Sequence, residues 1–318
     1  MNTELAATKR HNLKAALQGA VSSGKAFAVP GVFDPLGARL VEHLGFEAAF
    51  LGGWVMGSHL AVTEPLMTLT ETADITAKVS ARTSLPLFVD AGAGWGEAVH
   101  VRRTIQELER AGASVIQIED QYFPKRMEYH AGTEDMCSRE EFIRRIRACV
   151  EGRQSQDTLV MARTDATKAR GGSVDEAIWR LNAALDAGVD LVMPCINPAV
   201  VSLDDMAVEE QRGKIRRGLP DSAVVVALSG YLPGQRQLSL QEYAEEGWGV
   251  VMYPLIPAVT FVGALASVYR PLKETGQLPA EGAIGYPVED HPQMQALVEA
   301  ILPYDELLDV EGDLATKS

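Results

Sequence analysis

Cysteine is scarce in this chain: Cys137, Cys149 and Cys195 are the only three, and no two form a CxxC pair. An odd count without paired spacing argues against a disulfide framework or a zinc knuckle and favours a reduced, cytoplasmic setting. Long hydrophobic runs are missing too. No window holds 18 uninterrupted apolar residues, so no membrane-spanning helix is expected. The opening MNTELAATKRHNLKAAL is polar and helix-prone, without the apolar stretch of a secretory signal, which points to an intracellular protein. Cations are in deficit, with 29 Lys plus Arg against 43 Asp plus Glu and a formal net charge of −14. Nucleic acid and anionic membrane call for clustered positive charge, so neither is expected as a partner. A small anionic substrate stays open, because it answers to the local field of a pocket. No Pro-, Ser- or Gly-rich linker and no low-complexity tract interrupts the chain.

What is present is an ordinary globular balance, 47% hydrophobic and 23% charged, enough for a sizeable core. Eight short apolar runs recur along it: 26–33, 48–53, 85–92, 114–120, 158–166, 191–196, 223–229 and 249–255. They are continuous rather than alternating, as parallel strands buried on both faces require. Between them, DPLGARLVEHLGF, VRRTIQELERAGA and VDEAIWRLNAALDAGVD carry apolar residues at helical spacing, and each ends near a glycine (Gly45, Gly112, Gly188) suited to a left-handed helix terminus. Strand–helix alternation repeated eight times predicts an α/β fold of the (β/α)8 TIM-barrel type, with a doubly wound open sheet as the competing arrangement. The division expected is a barrel with an N-terminal helix over 1–275, then a connector and final helix over 276–318, the helix at about 291–303.

In such a barrel the C-terminal strand ends converge on one mouth, where the chemistry sits. Strand 3 delivers Asp90 and the run AGAGWG, strand 4 delivers Glu119 and Asp120, and strand 5 delivers Arg163, Thr164 and Asp165. Strands 6 to 8 offer Cys195 and Asn197, Ser229 and Tyr231, and Tyr253. Carboxylates that share a mouth repel one another unless a cation or a shared proton relieves them. Oxygen donors without histidine suit Mg²⁺ or Mn²⁺ better than Zn²⁺. The plain structural alternative makes Asp34, Asp90, Asp120 and Asp165 caps for the helices after their strands.

The set PGVFDPLGARL, AAFLGG, LPLFVDAGAGWG, GASVIQIEDQYFPKR, LVMARTDA and GVVMYPL, over roughly 25–275, resembles the isocitrate lyase / phosphoenolpyruvate mutase superfamily. The resemblance implies a Mg²⁺-dependent barrel that makes or breaks C–C or P–C bonds through an enolate-like intermediate on 2-oxo or 2-hydroxy acids. It also implies a C-terminal barrel helix swapped between partners, in dimers that pair into tetramers. Matched residue by residue, it makes Asp90 the direct metal ligand and Glu119 a ligand through water. Lys125 opens the mobile loop, Arg163 clamps a substrate carboxylate, and the Gly52 and Gly53 amides bind a carboxylate or enolate oxygen. Lys125 to Gly132 would then form a lid that brings positive charge over the substrate.

The chain departs from the family pattern at several points. The second acid of the third-strand motif is Gly92, the lyase cysteine is Met127 within KRMEYH, and the serine before the Gly-Gly pair is Leu51. The strand-6 glutamate position holds Cys195, the strand-7 asparagine falls on Leu228 or Ser229, and the acid after strand 2 falls on Thr63, with Glu64 beside it. Glu64, Glu128, Tyr129 or His130 would compensate from loops. His130 is either a proton shuttle in a closed lid or an exposed loop residue. Cys195 is either a reactive thiol or a small buried hydrophobe. Tyr231 either reaches the substrate or packs the rim. The function expected is a Mg²⁺- (or Mn²⁺-) dependent carbon–carbon lyase or decarboxylase for a small 2-oxo or 2-hydroxy carboxylic acid. A phosphonopyruvate-type P–C enzyme and a catalytically inactive binding or assembly barrel are the alternatives. Leu51, Trp54, Trp95 and Met127 hint at a substrate bulkier or less charged than isocitrate.

Overall fold

The computed structural model of the chain describes residues 3–127, 135–196, 206–230, 236–279, 291–302 and 310. Helix α1 (Thr3–Ser23) precedes strand β1 (Phe27–Pro30); α2 (Pro35–His43), β2 (Ala49–Leu51), α3 (Gly53–His59), a 3-10 turn (Glu64–Leu66) and α4 (Leu69–Ser80) follow. Then come β3 (Leu87–Asp90), α5 (Ala98–Ala111), β4 (Val115–Glu119), α6 (Arg139–Gly152), β5 (Leu159–Thr164) and α7 (Val174–Asp186). The chain continues through β6 (Leu191–Pro194), α8 (Val208–Arg217), β7 (Val224–Leu228), α9 (Leu240–Glu245), β8 (Val250–Tyr253), α10 (Ile256–Thr275) and α11 (His291–Ile301).

From β2 to β8 each strand pairs in parallel with its sequence neighbour, and β1 pairs with β8. The ring closes between β1 and β2 one residue beyond the strand, where Gly31 bridges Phe50 and the Val32 amide donates to the Phe50 carbonyl at 2.8 Å. A side chain at Gly31 would put Cβ 2.7 Å from the Pro254 carbonyl oxygen, so closure demands glycine there. This closed order is the expected barrel and rules out the open doubly wound sheet. The three helices read from the sequence end as anticipated, with φ of 84° at Gly45, 104° at Gly112 and 94° at Gly188.

Alternation along the strands sorts the residues into two layers. Leu87, Val89, Ile116, Ile118, Val160 and Ala162 pack outward against the helices. Phe88, Val115, Leu159, Met161, Leu191 and Met193 fill the barrel interior, together with Leu13 and Leu17 of α1. Helix α1 is therefore part of the interior packing. Its Lys9 Nζ donates to the carbonyls of Ser80 (3.1 Å) and Thr83 (2.6 Å), and Arg10 donates to those of Ala113 and Glu109. Glu109 fastens this end further. Its carboxylate accepts from the amides of Gln154 (2.7 Å) and Ser155 (2.8 Å) and from Thr158 Oγ1 (2.8 Å).

Helix α10 is apolar but uncovered: Val259, Phe261, Val262, Tyr269 and Leu272 are all exposed. Helix α11 lies near α2, where Arg39 Nε donates to the Ile301 carbonyl at 2.9 Å. Among the described residues no helix is long and apolar enough to cross a membrane.

The Glu109 network makes a stability prediction. Glu109→Ala removes the 3.7 Å ion pair with Arg10 and leaves the Gln154 and Ser155 amides and the buried Thr158 hydroxyl without their acceptor, and should cost on the order of 3 kcal/mol. A denaturant midpoint unchanged from wild type would overturn this account of how α1 is held.

Candidate active site

The inward column of each strand runs apolar at its start and polar at its C-terminal end. It passes from Phe88 to Asp90 on β3, from Val115 through Gln117 to Glu119 on β4, and from Leu159 through Met161 to Arg163 on β5. Strand register then sets these polar residues side by side, pairing Asp90 with Gln117 and Glu119 with Arg163. Gln117 Nε2 donates to Asp90 Oδ1 at 2.8 Å, and the Gly92 amide donates to the same oxygen at 2.9 Å.

Two cations converge on Glu119. Lys125 Nζ stands 3.0 Å from Oε1, and Arg163 Nη1 stands 3.2 Å from Oε2 and 3.9 Å from Asp90 Oδ2. These are ion-pair distances without aligned donors: both Glu119 oxygens are buried and accept no hydrogen bond among the described residues. Burial pushes the Glu119 carboxyl up to about 7; Lys125 and Arg163 pull against this, while Asp165 and Asp90 reinforce it. Lys125 also pairs with Glu64. Arg163 grips Asp165 through Nε (2.9 Å) and Nη2 (3.1 Å).

The structure sorts the sequence candidates. Asp90, Glu119, Lys125, Arg163 and Gly53 come together, and the pocket at the mouth is lined by Gly53, Glu64, Asp90, Gly92, Trp95 and Lys125, among others. Gly52 stands next to it as the N-cap of α3, and the Gly53 amide donates to Asp90 Oδ2 at 3.3 Å. Glu64, read from the sequence as the acid beside Thr63, enters the pocket. Its buried side chain lies so near Gly53 that a Cβ there would meet it at 2.8 Å. Asp34 is the helix cap, accepting from the Gly37 amide at 2.7 Å. Asp120 is neither cap nor pocket residue. It braces β4 to β5 and α7, accepting from Thr164 Oγ1 (2.5 Å), the Asp165 amide (2.9 Å) and Arg180 Nη1 (3.2 Å). Cys195 is buried, and none of the three cysteines is in a disulfide. His130, Tyr231, Glu128, Tyr129 and Asn197 lie outside the described residues.

Sequence reasoning missed Gln117 and the role of Asp165, which it had named at the end of strand 5. Gln117 was signalled by parity, being polar and two residues before Glu119 in an otherwise apolar strand. Asp165 reads as a turn or cap, and only the folded register shows that it takes the two-point grip expected for a substrate carboxylate.

With the site on the page, comparison with known proteins decides the family. The model for phosphoenolpyruvate phosphomutase matches residues 18–272. The chain belongs to the isocitrate lyase / phosphoenolpyruvate mutase superfamily. It is 35% identical to the 2-methylisocitrate lyase of Aeropyrum pernix over 248 residues, covering 78% of this chain and 75% of that one. It is 31% identical to the 2,3-dimethylmalate lyase of Eubacterium barkeri over 266 residues, covering 82% and 86%. Among solved structures, a phosphonopyruvate hydrolase complex with oxalate and Mg²⁺ superposes with a TM-score of 0.71 at 25% identity, covering 96% of both chains.

Superfamily membership raises the question of a metal. Among the described residues, no group of three or more His, Cys, Asp or Glu side chains is gathered to hold one alone. Mg²⁺ does not need such a cage, since it takes one or two carboxylates and keeps water or substrate oxygens. The donor set fits that demand: Gln117 Oε1 and both Glu119 oxygens are buried acceptors without a hydrogen-bond donor, next to Asp90. A hard cation suits this all-oxygen corner.

The Glu119 shift fixes a sign. Its folded value lies above its ordinary 4.5, so the folded chain holds the proton more tightly. The stability this contributes is present at low pH and is lost as pH rises through about 7. In EDTA, Glu119→Gln should therefore gain in unfolding temperature relative to wild type between pH 5 and pH 8. A constant difference between the two proteins over that range would show that Glu119 titrates normally.

Proposed function

We propose that the chain is a carbon–carbon lyase or decarboxylase acting on a small 2-oxo or 2-hydroxy carboxylic acid by way of an enolate. One observation carries this reading. Asp90, Glu119, Glu64, Lys125 and Arg163 meet at one barrel mouth, and among the described residues the most buried of these carboxylates has no aligned donor. Two relatives above 30% identity are lyases by name, of 2-methylisocitrate and 2,3-dimethylmalate. The phosphonate alternative has behind it the phosphoenolpyruvate phosphomutase family model and a structural likeness at 25% identity. An inactive barrel is disfavoured because a desolvated carboxylate is costly to keep unless something uses it.

Asp90 and Glu119 would hold Mg²⁺ or Mn²⁺, which supplies Lewis-acid stabilisation of negative charge on the substrate oxygens. The chain's own residues do the rest. Arg163 keeps its Nε–Nη2 edge on Asp165 and turns Nη1 toward the mouth, where it attracts a carboxylate. The Gly52 and Gly53 amides are the proposed donors to a carboxylate or developing enolate oxygen. Lys125, at the start of the loop after β4, adds positive charge above the carboxylates. His130 and Tyr231 stay in the proposal as proton-transfer and substrate-contact residues. A cytoplasmic location completes it.

Asp90→Asn and Glu119→Gln should each lower kcat/KM by roughly 100-fold or more. The assay is turnover of a panel of 2-oxo and 2-hydroxy acids by EDTA-treated protein, with and without Mg²⁺. Turnover indifferent to the metal and to both substitutions would end this reading.

The uncovered apolar face of α10 supports a homo-oligomer, a dimer of dimers in the form proposed. Light scattering after gel filtration should give a multiple of 34.3 kDa, and Phe261→Asp should lower it. A monomer at micromolar concentration would remove this part of the proposal.

A further inference from the structure

Trp95 has φ of 56°, a left-handed conformation that bulky residues rarely adopt. It is held there from both sides. Gly94 and Gly96 have φ of 80° and 150°, and a Cβ on them would fall 2.5 Å from Val101 and 2.7 Å from the His100 ring. The indole is fixed as well, with Nε1 donating to the Met67 carbonyl at 2.8 Å. Strain that the surroundings enforce at a pocket is a sign of use. Since the only donor of the side chain is engaged with backbone, the part of Trp95 that lines the pocket is hydrocarbon. Pro65, Met67 and Phe123 line the same pocket.

The charges point the same way. Lys125 faces Glu64 and Glu119, while Arg163 faces Asp165 and Glu119. Both cations already stand against protein carboxylates. A further carboxylate on the substrate, laid against Trp95 and Phe123, would lose its hydration without gaining a counter-ion among the described residues.

We infer that Trp95, Met67, Pro65 and Phe123 form a subsite for an apolar substituent, so that the substrate keeps at the metal corner the carboxylate or oxo group that takes up the enolate charge and ends in hydrocarbon, not a further carboxylate, at the end remote from the bond that breaks. Trp95 sets that preference. The inference rests on the lyase reading above and narrows its substrate class.

Titration calorimetry in Mg²⁺ with oxalate, 2-oxopentanoate and 2-oxoglutarate tests it. The two longer acids share a five-carbon chain and differ at its end, methyl against carboxylate. Wild type should bind 2-oxopentanoate at least about 10-fold more tightly than 2-oxoglutarate. Trp95→Gly, which removes the ring and relieves the backbone, should narrow the ratio to within about threefold while oxalate affinity stays within about twofold. Phe123→Ala, on an exposed loop, should narrow it as well and serves if the glycine variant folds poorly. Equal or tighter binding of 2-oxoglutarate by wild type, or a ratio unmoved by both variants, overturns the subsite. Oxalate binding without any chain preference overturns the subsite alone. No binding of all three acids overturns the lyase reading with it.

Discussion

A carboxylate removed from water must be neutralised, protonated or paired, and Glu119 is fully buried at the mouth of the barrel. Lys125 and Arg163 supply the pairing, at 3.0 and 3.2 Å, yet neither donates an aligned hydrogen bond to it. The positions of Glu64 and Asp165 follow from that arrangement. Each faces one of the two cations, so positive charge brought in for Glu119 is shared with a second acid. The result is a compact alternation of charges in which no member can change without altering the field at the others. An added divalent cation would enter a corner already rich in oxygen and already short of donors.

Much of this was legible because two simple rules act together. Parallel strands buried on both faces appear as continuous apolar runs, and side chains alternate between barrel interior and helix layer. Once a strand is placed, its last inward residue is placed too, and Asp90, Glu119 and Arg163 follow. The helix termini were equally readable, since Gly45, Gly112 and Gly188 occupy left-handed positions. What escaped reading depends on pairing between strands or on loop reach. Gln117 meets Asp90 only through the β3–β4 register. Glu64 was named among four loop candidates, and only the fold shows that the 3-10 turn after Thr63 carries it into the pocket. Asp165 lies just beyond the last β5 residue, so only geometry reveals its grip on Arg163.

Gly92 shows how one substitution changes a site. An acid there would have stood next to Asp90 and Glu119; instead the backbone turns through φ of 50°, and its amide donates to Asp90. The acid that enters the pocket is Glu64, whose longer side chain reaches Lys125 from the loop after α3. Negative charge at the mouth thus comes from a turn as well as from the strand ends. Around that turn, Pro65 and Met67 are apolar.

The distribution of acids also bears on how Arg163 can act. A guanidinium binds a carboxylate best through two parallel N–H groups, and in this chain Asp165 occupies the Nε–Nη2 edge. Asp165 is in turn held by Gln121 and approached by Lys168 at 3.7 Å, so the grip is built in on several sides. Nη1 is directed at Glu119 and Asp90, which places the positive end of Arg163 over the oxygen-rich corner rather than across the pocket. The charged half of a substrate is drawn to that corner. Trp95, Met67 and Phe123 supply the apolar surface of the same pocket. A pocket that combines these two characters selects a ligand with the same polarity, one end anionic and one end hydrocarbon.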